Sequence, residues 1–266
     1  MFKQFFGLTF NPFDKEVEVD KLYQGEDLTE LEGRLKYMLD NRGMGLIIGE
    51  PGMGKSTCLR KFAENANKSL YKVCYLPLTT LTVKDFYQAI CVMLGCAKPY
   101  RKIDMFYEIQ SAINSLYYDQ RITPVFIVDE IHMASTQILD DLRILFNFKM
   151  DSANPFVLIM VGQPQIRNKL MLNTSYPLKQ RIVMRYTMQG LKKEECTDYL
   201  DSRMRLAGCT RNVFTPAAIE AIYNISNGAP RVINNITTAA LMYSAAKRVD
   251  SVDEEAVFQA NIEIGA

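Results

Sequence analysis

The chain has 266 residues and a mass of 30.4 kDa, with 48% hydrophobic and 23% charged residues and a formal net charge of +1. This composition excludes a disordered or fibrous chain and leaves room for one large domain, or a domain with a small appendage, that folds without staples. Six cysteines in apolar or helical contexts, with no C-x-x-C pair and a single histidine, leave little for a zinc site and read as reduced thiols rather than a disulfide framework, and no apolar run nears the roughly 20 residues that span a bilayer.

In chain order, residues 1–25 read as an irregular arm rich in phenylalanine: Phe2, Phe5, Phe6, Phe10 and Phe13. Its opening lacks the layout of a signal peptide, so the expected compartment is the cytoplasm, with no membrane partner and with reduced core thiols. Leu28, Leu31, Leu35, Met38 and Leu39 recur at helical spacing over 26–41. Gly45–Gly49 reads as a buried strand, and a glycine loop then leads into a helix over 55–65. Further apolar runs at 72–78, 124–128 and 156–162, with a weaker one at 182–188, predict parallel strands covered on both faces. Helices are expected between them over 83–95, 104–119 and 136–150. After Gly190 the pattern becomes purely helical, over 193–207, 216–226, 230–248 and 253–262. The expected architecture is an α/β sandwich around a five-stranded parallel sheet in 1–190, arm included, followed by a helical lid in 191–266.

Charge is uneven along this plan. Residues 1–50 carry 6 basic and 10 acidic side chains, 51–190 carry 17 and 10, and 191–266 carry 8 and 10. Within 55–102, nine Lys/Arg face only Glu64 and Asp85. That bias is compatible with a polyanion, although ATP alone accounts for some of it.

Gly49-Glu-Pro51-Gly52-Met53-Gly54-Lys55-Ser56-Thr57 fits G-x-x-x-x-G-K-[ST] between a strand and a helix, the setting in which backbone N–H groups cradle phosphates. Lys55 would reach the β- and γ-phosphates of ATP, Ser56 would ligate Mg²⁺, and Thr57 would lie by the α-phosphate. The apolar run Val125–Val128 ends in Asp129 and Glu130. Asp129 is the expected holder of the magnesium water shell and Glu130 the carboxylate that polarises the attacking water. Parallel strands put their C-terminal ends on one edge, where ligands bind. Gln163, at the tip of another buried run, is a candidate for orienting that water. His132 completes a D-E-x-H string and reads as a supporting or structural histidine.

These residues carry a family resemblance. The phosphate loop, Asp129-Glu130, the polar tip at Gln163 and the all-helical tail resemble an AAA+ ATPase. The string Phe5-Phe-Gly-Leu-Thr-Phe-Asn-Pro-Phe13 is similar to the start of ExeA-type ATPases, a group related to the transposon helper ATPases TnsC, IstB and MuB. The resemblance implies that Arg181, with Arg185 as runner-up, is an arginine supplied to a neighbour's ATP site, and that Arg231 is a sensor reaching the γ-phosphate. It also implies self-association into a ring or helical filament. Lys84, Lys98, Arg101 and Lys102 become candidate contacts to a duplex DNA backbone, without sequence readout; a solvated loop is the competing reading. Secretion-type ExeA proteins continue into a membrane helix and a peptidoglycan-binding region, which the sequence given lacks. The leading expectation is therefore an ATP-dependent transposition regulator that recruits a transposase. The alternative is a secretion-complex assembly ATPase acting on protein partners. A non-hydrolysing switch fits less well, because it has no use for Glu130.

Overall fold

The structure, a computed structural model, describes residues 2–78 and 81–265. In chain order its elements are α1 (Phe2–Phe6), α2 (Glu26–Asn41), β1 (Gly43–Ile48), α3 (Lys55–Asn65), β2 (Tyr71–Pro77), α4 (Val83–Leu94), α5 (Lys102–Asn114), β3 (Thr123–Asp129), α6 (Thr136–Leu145), β4 (Val157–Gly162), α7 (Ile166–Met171), α8 (Tyr176–Arg181), β5 (Ile182–Thr187), α9 (Lys193–Leu206), α10 (Pro216–Ser226), α11 (Pro230–Lys247) and α12 (Glu254–Ile264). They divide into two compact units. One comprises Leu31–Glu50 and Lys61–Met188; the other comprises the chain up to Glu30, Pro51–Arg60, and the chain from Gln189 onward.

The first unit is built on a five-stranded, all-parallel sheet in the order β2-β3-β4-β1-β5. Every residue of the inner strands β1 and β4 is buried, which explains their unbroken apolar runs; edge strand β5 alternates buried and exposed, which explains its weaker one. One sheet face, with Leu46, Phe126, Val128, Leu158 and Met160, shares a core with Phe86, Tyr87 and Ile90 of α4, Met105 and Ile109 of α5, and Ile138 and Leu142 of α6. On the other face Gly45 leaves space for α2: a Cβ there would lie 2.8 Å from Met184 and 3.5 Å from Met38.

Helix ends follow local chemistry. Thr82 and Asp85 form a capping box at the start of α4, and Gly95, with φ of 78°, closes its end. The expected helix over 104–119 begins two residues early and passes into a π-helical turn at Ser115–Asp119. The helix expected over 136–150 stops at Leu145. Phe146 and Phe148 turn inward onto Phe156, and Lys149, Met150 and Asp151 take left-handed φ values of 48°, 54° and 68°. Burying those rings outweighs helix propensity here. The short helices α7 and α8 were not legible in the apolar periodicity.

The second unit packs α9–α12 around Leu200, Ile222, Ile233, Leu241 and Val257, and the aromatic arm joins that same core through Phe6, Leu8 and Phe13. Thr9 donates twice to the Ala207 carbonyl, from N and from Oγ1, at 2.9 Å each. Arg203 donates to the Asp14 carbonyl at 2.8 Å, and Phe13 meets Phe214 edge-on. The arm thus clusters with the helical part of the chain, whereas chain order alone groups it with the sheet. All six cysteines are free thiols, five of them buried, and burial pushes the Cys74 and Cys196 thiols up to about 11. Among the described residues, no helix is long and apolar enough to cross a membrane.

Candidate active site

The phosphate-loop motif leaves the end of β1 and opens α3. Within the helical unit, Gly52 and Gly54 take φ of 86° and 93°, which side-chain-bearing residues hold only under strain. A Cβ at Gly52 would also lie 3.0 Å from Cβ of Arg231. The Arg231 N–H donates to the Gly52 carbonyl at 3.2 Å. Pro230 starts α11 and fixes its first turn, so Arg231 is set against the loop through the backbone of both segments. Lys55 is buried, Ser56 is exposed, and no acidic side chain occupies the first turn of α3. A curled glycine backbone at the positive end of an 11-residue helix, with a lysine and a hydroxyl at its mouth, is chemically suited to a polyphosphate and its metal ion.

Within the α/β unit, the carboxylates stand at the C-terminal edge of the sheet. Asp129 ends β3, and Gly162 ends β4 beside it with Gln163 next in the chain; Gly49 N–H bonds the Gly162 carbonyl at 3.1 Å, bringing the end of β1 to the same edge. Asp129 is buried, and both its oxygens accept: Oδ2 from the Tyr75 hydroxyl at 2.9 Å and Oδ1 from Glu130 N–H at 2.8 Å. Burial first, and then the bond to Asp129, push the Tyr75 phenol up to about 12, so it stays a donor at neutral pH. Glu130 takes a left-handed φ of 55°, and His132 lies beside it in a 3-10 turn, Ile131–Met133. Tyr75 carried no sequence signal, since 54 residues separate it from Asp129.

Arg181 precedes the first residue of β5 and lies at the opposite, N-terminal edge of the sheet from Asp129, at roughly 3.3 Å per strand residue. Its guanidinium donates to the Arg143 carbonyl and pairs with Asp151, both at 2.7 Å. Arg185 is exposed and donates to the Lys179 carbonyl. Of the basic stretch, Lys102 pairs with buried Asp141 at 2.6 Å, and Lys84 stands 3.6 Å over the Tyr100 ring. Arg101 is 3.8 Å from Asp104, and Lys98 is exposed.

A phosphate loop after β1 and a carboxylate pair after β3 of a parallel sheet define a P-loop nucleotide hydrolase. A profile of the AAA domain family matches residues 38–170, half of the chain, and the chain belongs to that family of nucleotide-binding ATPases. It is 30% identical over 253 residues to general secretion pathway protein A of Aeromonas hydrophila, covering 93% of this chain and 45% of that protein. The chain thus spans less than half the length of this curated relative. Solved structures share the fold. Cdc6p from Pyrobaculum aerophilum superposes with a TM-score of 0.66 at 18% identity, over 98% of this chain and 71% of that one. A chain of Drosophila ORC bound to DNA gives 0.68 at 18%, over 100% and 66%.

Proposed function

We propose that this chain binds ATP with Mg²⁺, assembles with copies of itself, and uses hydrolysis to act on protein partners of a secretion apparatus. Lys55 and the loop amides of Gly52–Ser56 grip the phosphates, Ser56 and Asp129 hold the metal ion, Tyr75 keeps Asp129 oriented, and Glu130 draws a proton from the attacking water. Bound Mg²⁺ supplies charge neutralisation at the phosphates. Arg231, pinned to Gly52, reports phosphate occupancy to α11. Arg181 serves a neighbouring copy, because its position at the far sheet edge keeps it from its own carboxylates.

The observation that carries the choice of target is the 30% identity to the secretion protein, which extends beyond residues 38–170 to 93% of the chain. A second reading is the DNA-bound transposition regulator that recruits a transposase, favoured by the exposed Lys98 and Arg101. It is weakened at Lys102, whose charge is matched by Asp141. The test is ATPase turnover with and without duplex DNA over a salt series, with electron microscopy of ATP-analogue mixtures. On the leading reading DNA changes neither turnover nor assembly. Stimulation that fades with salt, together with polymers that need DNA, transfers the assignment to the second reading.

A further inference from the structure

At the sheet edge one nitrogen faces two partners. His132 Nδ1 lies 3.3 Å from the backbone nitrogen of Gln163 and 3.3 Å from Oε2 of Glu130. The Gln163 N–H is a donor and needs an unprotonated Nδ1, whereas the carboxylate is an acceptor and needs Nδ1–H. A neutral ring satisfies one of them at a time. Here the Gln163 bond is made, and Glu130 Oε2 is shut from solvent without a hydrogen-bond partner, an arrangement that costs free energy and calls for a reason.

The surroundings hold the ring at this fork. Lys169, on α7, donates to the carbonyls of His132 at 2.6 Å and Ala134 at 2.7 Å, clamping the turn. A Cβ at Gly162 would come within 2.9 Å of Ile131 Cγ2, 3.2 Å of His132 N and 3.4 Å of His132 Nδ1, so glycine at the end of β4 is what admits the ring. Glu130 keeps its left-handed φ of 55°, a conformation that persists where the neighbourhood imposes it and that gathers at functional sites.

We propose that His132 is a positioning residue for Glu130, tying its carboxylate to the tip of β4 through the choice of tautomer at Nδ1. With the proton on Nε2, Nδ1 accepts from Gln163 and the Glu130 carboxylate is left without a donor to fix it. With the proton on Nδ1, the ring donates to Glu130 and fixes its carboxylate for its work on water, and the Gln163 amide is released. One ring nitrogen gives a proton to solvent as the other takes one, so the charge is unchanged. A shift of Gln163 when nucleotide binds thereby sets the readiness of Glu130. The inference rests on the proposed role of Glu130 in activating water.

His132 is the chain's single histidine, so protein labelled with ¹⁵N-imidazole histidine gives one pair of ring-nitrogen resonances. Without nucleotide, Nδ1 should appear unprotonated and hydrogen-bonded. Adding a non-hydrolysable ATP analogue with Mg²⁺ should change the protonation pattern of the pair. Unchanged shifts in both states overturn the coupling. In steady-state assays His132→Ala should lower kcat on the order of 10- to 100-fold, with KM for ATP within about twofold. His132→Asn, whose amide reaches the position of Nδ1, should recover much of that loss, whereas a purely structural role predicts lost folded protein and no such rescue. A folded His132→Ala protein with normal kcat removes the inference. Glu130→Gln separates the two failures: normal turnover there overturns the role of Glu130, while slow Glu130→Gln beside normal His132→Ala overturns the tautomer link alone.

Discussion

In the helical unit the phosphate loop is shaped by backbone: two left-handed glycines, a helix start, and the Gly52 carbonyl bonded to Arg231 N–H. In the α/β unit the carboxylates are shaped by side chains from distant parts of the chain, Tyr75 on β2, His132 in the turn and Lys169 on α7. The difference teaches where each site is fragile. A backbone cradle fails when a side chain intrudes or its lysine is lost. A carboxylate held by donors loses function by degrees as each donor is removed.

Substitutions can break or sharpen this contrast. The largest effect is expected at Arg181, which stands at the sheet edge opposite Asp129. Arg181→Ala should cut turnover by about 10³-fold while nucleotide affinity stays intact. Mixing it with Lys55→Ala protein should restore activity, because the latter still supplies Arg181; no recovery rules out supply in trans. Glu130→Gln should retain nucleotide and slow hydrolysis by about 10²- to 10³-fold, measured by single-turnover phosphate release. Lys55→Ala should weaken ATP affinity on the order of 100-fold by calorimetry, and retained micromolar affinity would contradict the cradle. Tyr75→Phe tests the graded half of the contrast. Asp129 keeps the Glu130 amide and loses one donor, so turnover should fall about tenfold or less, with an altered Mg²⁺ requirement.

The smallest effect concerns alkaline pH. Cys74 and Cys196 are raised from 9.0 to about 11 by burial. For an acid with a raised folded value, the folded chain binds more protons than the unfolded one once the pH passes the unfolded value. Stability is therefore whole below pH 9 and declines as the pH climbs toward about 11. Thermal melts across that window should show a falling Tm, and a flat Tm would mean that these thiols do not titrate on unfolding.

By itself the sequence determined what contiguous residues can encode. The glycine spacing of Gly49–Lys55 compels a loop, the apolar runs compel buried parallel strands, and a run ending in Asp129-Glu130 places carboxylates at a strand tip. Tertiary structure alone decided what depends on which remote groups meet. It set the phosphate loop against Arg231, moved the aromatic arm onto the helical core, ended the helix at Leu145 to bury Phe146 and Phe148, and neutralised Lys102 on Asp141. Hydrogen bonds and ion pairs act over a few ångströms whatever the separation along the chain. The seating of Tyr75 on Asp129 and of His132 on Gly162 therefore leaves no periodic trace to read.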